Sequence, residues 1–227
     1  MLDPYVRPII DPPLNALGRK LVRLGFTANM MTLIGFICGI LAIISIIFHH
    51  YHLAASLIIC NRLADGLDGA IARHSQLTDF GGFLDVVCDF IIYSGVVFAF
   101  GLIRPENLLY ASFLIFSFIG PITSFLAYAI VASKRQITCQ KRGKKSFYYL
   151  GGMCEGTETA AVLILFCLMP QYFNTIGIVF GIMCWITTLG RIYNAWNDFG
   201  EKAYPVRDYS SLDAYKEQET EIKSQAQ

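Results

Sequence analysis

The chain has 227 residues, enough for one domain, with 55% hydrophobic residues and a mean hydropathy of +0.50, which is high for a soluble protein. Its net charge of +1 comes with no long acidic or basic tract, so nucleic acid is not an expected partner. The seven cysteines are scattered through apolar runs without a CxxC pair, which argues against a zinc site or a disulfide framework.

Residues 1–26 carry Asp3, Asp11 and four prolines before any long apolar run, unlike a signal peptide. Leu14, Leu17, Leu21, Val22 and Leu24 alternate with Arg19, Lys20 and Arg23, the pattern of a short amphipathic helix on a membrane surface. Thr27-Ala28-Asn29 then supplies helix-capping residues. Six apolar segments follow, at Met31–Phe48, Leu53–Arg73, Gly82–Ile103, Leu108–Ser133, Phe147–Met169 and Phe173–Asn194. Each is near the ~20 residues that span a bilayer as a helix, and backbone groups in lipid must be satisfied internally, which excludes isolated strands. The expected fold is therefore an all-α integral membrane domain over residues 1–196: six transmembrane helices after an amphipathic juxtamembrane helix. Residues 197–227 lack apolar periodicity and read as a polar, partly disordered tail. The connections His49–His52, Arg104–Asn107 and Pro170–Tyr172 hold one basic residue, Arg104, whereas the other side collects Arg19, Lys20, Arg23, Arg73 and the stretch Lys134–Lys145. The positive-inside rule then puts both termini in the cytoplasm. Gly35-x3-Gly39 and Gly177-x3-Gly181 suit close helix packing.

Four aspartates break the apolar pattern between the second and third segments. Asp65 and Asp68 are three residues apart and Asp85 and Asp89 four apart, so each pair shares a helical face. Ser75–Gly82 interrupts helical character, which lets the two helices fold back with the carboxylates facing each other. Clustered carboxylates repel, and near a bilayer each is costly. A hard divalent cation, Mg²⁺ or Mn²⁺, resolves the conflict through oxygen ligands, and two ions suit four carboxylates in a layout used for phosphate chemistry. Gly66, Gly69 and Ala72 leave the helix surface bare for a bulky ligand.

The stretch Asp65-x2-Asp68-Gly69-x2-Ala72-Arg73, followed after seven residues by Gly81-x3-Asp85-x3-Asp89, resembles the signature of the CDP-alcohol phosphotransferases, integral-membrane enzymes of phospholipid synthesis. The resemblance implies transfer of a substituted phosphate from a CDP-linked lipid, with CDP-diacylglycerol as donor, to a small alcohol with release of CMP. It implies metal ligation by Asp65, Asp68, Asp85 and Asp89, with Asp89 also the base for the acceptor hydroxyl. Gly69 and Ala72 would admit the nucleotide. Arg73 would pair with the phosphates or with a site carboxylate. It further implies a homodimer in a bacterial inner membrane with a cytoplasmic active site. Phe26–Gly35 is similar to the family's TPN-x-x-T segment, with Ala28 at the proline position, so Asn29 and Thr32 either cap the first span or approach the nucleotide. Lys141, Arg142, Lys144 and Lys145 either set topology or bind an acceptor phosphate, and Glu158 and Arg191 either form a buried ion pair or line an acceptor pocket. The acceptor itself is open among glycerol phosphate, serine, inositol phosphate and a free polyol. A different class, a six-span cation transporter, would use the same aspartates as an ion path.

Overall fold

The computed structural model describes residues 3–135 and 154–200, and every regular element among them is helical. Helix α1 covers Asp3–Arg23, α2 Ala28–Ile47, α3 Tyr51–His74, α4 Asp79–Ile103, α5 Leu108–Lys134, α6 Gly156–Leu168 and α7 Phe173–Phe199. One-turn 3₁₀ segments at Pro105–Asn107 and Pro170–Tyr172 lead into α5 and α7. Each opens on a proline, whose fixed φ and missing N–H suit the first position of a helical turn.

Four of these elements are long and apolar enough to cross a membrane: Ala28–Ile47, Asp79–Ile103, Pro105–Lys134 and Pro170–Phe199. Many of their large side chains face outward, among them Ile37, Phe98, Ile130 and Leu189. Outward-facing apolar side chains on this scale match a hydrocarbon surrounding better than water. The second expected span is α3, whose 24 residues suffice in length but include Asn61, Arg62, Asp65, Asp68 and Arg73. The fifth, expected over Phe147–Met169, is described as a helix only over the 13 residues of α6, short of the ~20 that cross a bilayer. The last helix runs through Phe199, past the expected end at Asn194 and past the boundary at 196/197. The tail beyond residue 200 lies outside the described residues.

Helix α1 is longer than the short amphipathic element expected. It starts at Asp3 and tolerates Pro8, Pro12 and Pro13 within its length. It leans on α3, where a Cβ on Gly18 would stand 2.9 Å from the Ala70 methyl carbon and one on Gly66 2.8 Å from Leu14. The surface expected to be bare at Gly66 is thus covered by α1. The chain then turns through Gly25, whose φ of 86° is open to glycine at little cost. Thr27 caps α2, its Oγ1 accepting from Met30 N at 3.3 Å.

Small residues bring the helices together. The buried stripe of α2 is Thr32, Gly35, Gly39, Ala42 and Ile46, repeating every three or four residues. Gly35 meets Ala64 of α3 and Gly39 meets Ile92 of α4, while Gly181 of α7 meets Phe113 and Ser117 of α5. Both small-xxx-small motifs therefore contribute to packing within one chain. At the far end of α4 from its aspartates, Phe100, Phe166 and Phe173 stack with ring centroids 4.7–5.8 Å apart. That aromatic knot joins α4, α6 and α7 and leaves polar residues to the other end.

Gly35→Leu should destabilise the protein by about 1–3 kcal/mol, because its Cβ would already stand 3.0 Å from the Ala64 methyl carbon. Gly190→Ala, with nothing within 4 Å of the added carbon, should leave the thermal midpoint of the detergent-solubilised protein unchanged. Equal midpoints for both variants would contradict this packing.

Candidate active site

The site forms at the mouth of the α3–α4 hairpin. The break between the two helices is short, Ser75–Thr78, and Thr78 Oγ1 caps α4 by accepting from Gly81 N at 3.0 Å. Helix α4 consequently begins at Asp79, so Gly81 and Gly82 are helical. Gly81 earns its place by close approach: a Cβ there would stand 3.0 Å from Asn29 Oδ1.

Three of the four aspartates converge. One carboxylate oxygen from each of Asp65, Asp68 and Asp85 lies within 4.8 Å of the others. They line a small open cleft, bounded also by Thr32, Gly35, Asn61 and Asp89. Asp68 is buried, and Thr32 Oγ1 donates to its Oδ2 at 2.6 Å. Thr32 therefore fixes a site carboxylate, in addition to reaching the Ala28 carbonyl at 3.1 Å within its own helix.

Asp89 is held differently. The Arg62 guanidinium forks onto it, with Nη1 donating to Oδ2 at 3.1 Å and Nη2 to Oδ1. Tyr93, one helical turn further along α4, donates its hydroxyl to Asp89 Oδ2 at 2.9 Å. The Arg62 Nη1 also donates to the Tyr93 oxygen, and its Cζ lies 4.9 Å from that ring's centroid. Arg62 Nη1 is 3.7 Å from Asp65 Oδ2 as well. A bidentate arginine fork is among the stronger and more directional carboxylate contacts. The expected ring of four facing carboxylates becomes three that converge and one engaged by arginine, because α3 supplies its own cation.

Chain folding brings together fewer of the other expected residues. Gly69 presents an open face, with Arg73 Nη1 the nearest atom to its would-be Cβ at 3.4 Å. Ala72 is half-buried on the same helix. Arg73 donates to Asn15 Oδ1 of α1 from Nε at 3.3 Å and Nη2 at 3.1 Å, so it ties α1 to α3. Glu158 closes a capping box at the start of α6, its Oε2 accepting from Glu155 N at 3.3 Å. Arg191 is buried on α7, donates to the Pro121 carbonyl at 2.7 Å and lies 5.9 Å from the Phe125 ring. Lys141, Arg142, Lys144 and Lys145 lie outside the described residues. Sequence reasoning passed over Arg62, Asn61 and Tyr93. Two local signals were available, Arg62 three residues before Asp65 and Tyr93 four after Asp89, but nothing local joins Arg62 to Asp89.

The matching family model is that of the CDP-alcohol phosphatidyltransferases, over residues 26–202. The chain belongs to the CDP-alcohol phosphatidyltransferase family. It is therefore a membrane transferase of the phospholipid-synthesis class, and the transporter reading falls away. Among relatives, the inner membrane protein YnjF of Escherichia coli is 46% identical over 86% of this chain and 96% of its own length. The archaetidylinositol phosphate synthase of Pyrococcus horikoshii is 28% identical over 84% of this chain and 94% of its own. A crystal structure of Mycobacterium tuberculosis phosphatidylinositol phosphate synthase with CDP-DAG bound shares the fold at a TM-score of 0.67 and 19% identity, covering 85% of this chain and 98% of that one.

The donor set fits the divalent metal expected of such a site. Asp65, Asp68 and Asp85 offer only oxygen, which suits a hard cation. The guanidinium that offsets one of the four negative charges spends its fork on Asp89, which leaves the converging three in need of positive charge. Asp65→Asn should abolish most Mn²⁺ and CDP affinity in isothermal titration. Thr32→Val, which removes only the hydroxyl behind Asp68, should weaken Mn²⁺ about 10–100-fold. Wild-type affinities in both variants would contradict a metal centre here.

Proposed function

We propose that this enzyme transfers a phosphatidyl group from CDP-diacylglycerol to a small alcohol and releases CMP. The observation that carries the reading is the convergence of Asp65, Asp68 and Asp85 at the open end of the α3–α4 hairpin, in a chain of this family. The Mycobacterium structure named above contains CDP-DAG, which supports the donor. Glycerol phosphate, serine, inositol phosphate and a free polyol are the acceptors to test, by mass spectrometry of lipids made from CDP-diacylglycerol and each alcohol.

Asp65, Asp68 and Asp85 would hold Mg²⁺ or Mn²⁺, which when bound neutralises the diphosphate and the departing CMP phosphate. A second ion, expected from four carboxylates, would need an Asp89 oxygen that the Arg62 fork now engages. The open face at Gly69 and Ala72 gives the nucleotide access to the α3 backbone, and Asn29 of α2 stands beside Gly81 of α4. Asp89 takes the proton of the acceptor hydroxyl as its oxygen forms a bond to phosphorus. The bond from that phosphorus to the bridging oxygen breaks, and the electron pair leaves with CMP. Asp89 suits this role because it stands at the edge of the metal group rather than inside it. Glu158 of α6 and Arg191 of α7, on helices outside the hairpin, would serve the acceptor, together with Lys141, Arg142, Lys144 and Lys145.

In this reading the chain is a bacterial inner-membrane protein. The E. coli relative's name and the four apolar helices support that location. We read α3 and the segment containing α6 as two further spans, six in all. Ile9, Ile10 and Leu17 of α1 are exposed, which supports a helix lying on the membrane surface. Both termini and the hairpin face the cytoplasm, and the enzyme is a homodimer.

Asp89→Asn should leave CDP binding within a few-fold of wild type and lower kcat by about 10²-fold or more. Normal turnover would exclude Asp89 as the base, and outright loss of CDP binding would make it a binding residue first. For topology, in a variant free of native cysteines, Gln171→Cys should react with an impermeant thiol reagent outside intact spheroplasts and Gln76→Cys should not. The reverse pattern would overturn the orientation.

A further inference from the structure

Arg62 is not one of the residues in the aspartate signature, yet it has the densest set of polar contacts in the site. Its fork meets both oxygens of Asp89. Its remaining donor edge is occupied as well, since Nε donates to Asn61 Oδ1 at 2.8 Å. Asn61 is itself anchored, with Nδ2 donating to the Gly35 carbonyl of α2 at 2.9 Å. Tyr93 closes the set from α4, accepting from Arg62 and donating to Asp89 Oδ2. The result is a continuous hydrogen-bonded chain from the α2 backbone through Asn61 and Arg62 to Asp89. It exists because Gly35 has no side chain: a Cβ there would crowd Ala64 at 3.0 Å and the Asn61 carbonyl at 3.4 Å and push α2 away.

We propose that Arg62 is a positioning residue for the transfer reaction, holding Asp89 in one orientation so that a free lone pair of Oδ1 meets the acceptor hydroxyl. The lone-pair count supports this. Among the described residues, Oδ2 takes donors from both Arg62 and Tyr93, whereas Oδ1 takes only the Arg62 Nη2. An ionised carboxylate oxygen accepts more than one hydrogen bond, so Oδ1 retains capacity on the side away from the guanidinium. Guanidinium also stays charged under all working conditions. Arg62 therefore sets the direction of proton acceptance without taking the proton itself. Asn61 fixes the guanidinium plane, and an arginine without that contact would keep its charge but lose its alignment.

This inference rests on Asp89 being the base, so the test separates the two. The full chain in lipid nanodiscs is assayed as wild type, Arg62→Met, Arg62→Lys, Asp89→Asn and the Arg62→Met/Asp89→Asn double variant. CDP-diacylglycerol turnover is measured alongside Mn²⁺ and CDP titrations. Arg62→Met should lower kcat at least about tenfold, the scale of losing hydrogen bonds to a charged group. KM for CDP-diacylglycerol and the Mn²⁺ and CDP affinities should stay within about threefold. Arg62→Lys, with charge but no fork, should recover part of the loss. Adding Arg62→Met to Asp89→Asn should slow the enzyme by less than about twofold, because the orienting group has nothing left to orient. If Arg62→Met does not yield folded protein, Asn61→Ala leaves the charge in place. It should lower kcat about three- to tenfold with the same non-additivity toward Asp89→Asn. Multiplicative losses, wild-type turnover in Arg62→Met, or parallel loss of Mn²⁺ affinity would each overturn the positioning role while leaving Asp89 as the base. Wild-type turnover in Asp89→Asn would instead remove the base itself.

Discussion

Negative charge held between apolar helices has to be compensated, and the α3–α4 hairpin is built around that requirement. Four carboxylates enter a bundle of largely apolar helices, where an uncompensated ion costs several kcal/mol even after relaxation. Compensation comes in two forms. Arg62 engages both oxygens of Asp89 directly. Asp65, Asp68 and Asp85 turn their oxygens toward one point and offer a hard-cation site.

Everything that brings the hairpin together is small. Gly35, Gly39, Ala64 and Ala70 permit backbone approaches that larger side chains would forbid. In lipid there is no hydrophobic drive between apolar helices, so close packing and interhelical hydrogen bonds carry the association. The Asn61 contact to the Gly35 carbonyl and the Thr32 contact to Asp68 are of this kind, and both end at the site. Stability and site geometry therefore share residues on α2, a helix with no aspartate of its own. The aromatic knot of Phe100, Phe166 and Phe173 holds the opposite end and leaves the carboxylate end open.

Helix α1 adds a further constraint. Leu14 and Gly18 cover the face of α3 at Gly66 and Ala70, and Asn15 holds Arg73. Of the small residues in the signature, Gly66 is thus used for packing and Gly69 remains open. An arginine that the signature pairs with phosphate or carboxylate here secures the α1–α3 contact, on the same face as the entrance at Gly69.

Spacing alone determined the helical character, the hairpin and the shared faces of the pairs Asp65/Asp68 and Asp85/Asp89, because i, i+3 and i, i+4 relations are properties of the helix itself. The break after His74, the Thr27 cap and the close packing at the paired glycines were legible for the same local reason, although the break is shorter than the expected Ser75–Gly82. The length of α1 was not, since the amphipathic pattern begins only at Leu14. The membrane status of α3 and α6 is equally beyond composition: polar residues dilute the one, and the other is too short in its described part. What only tertiary structure decided is the partner of each polar side chain. Arg62 to Asp89 spans 27 residues, Thr32 to Asp68 spans 36 and Arg73 to Asn15 spans 58. Such pairings depend on how closely two helix backbones approach and how each is rotated about its axis. Those quantities are set by the sum of many small packing contacts and have no local signature in the chain.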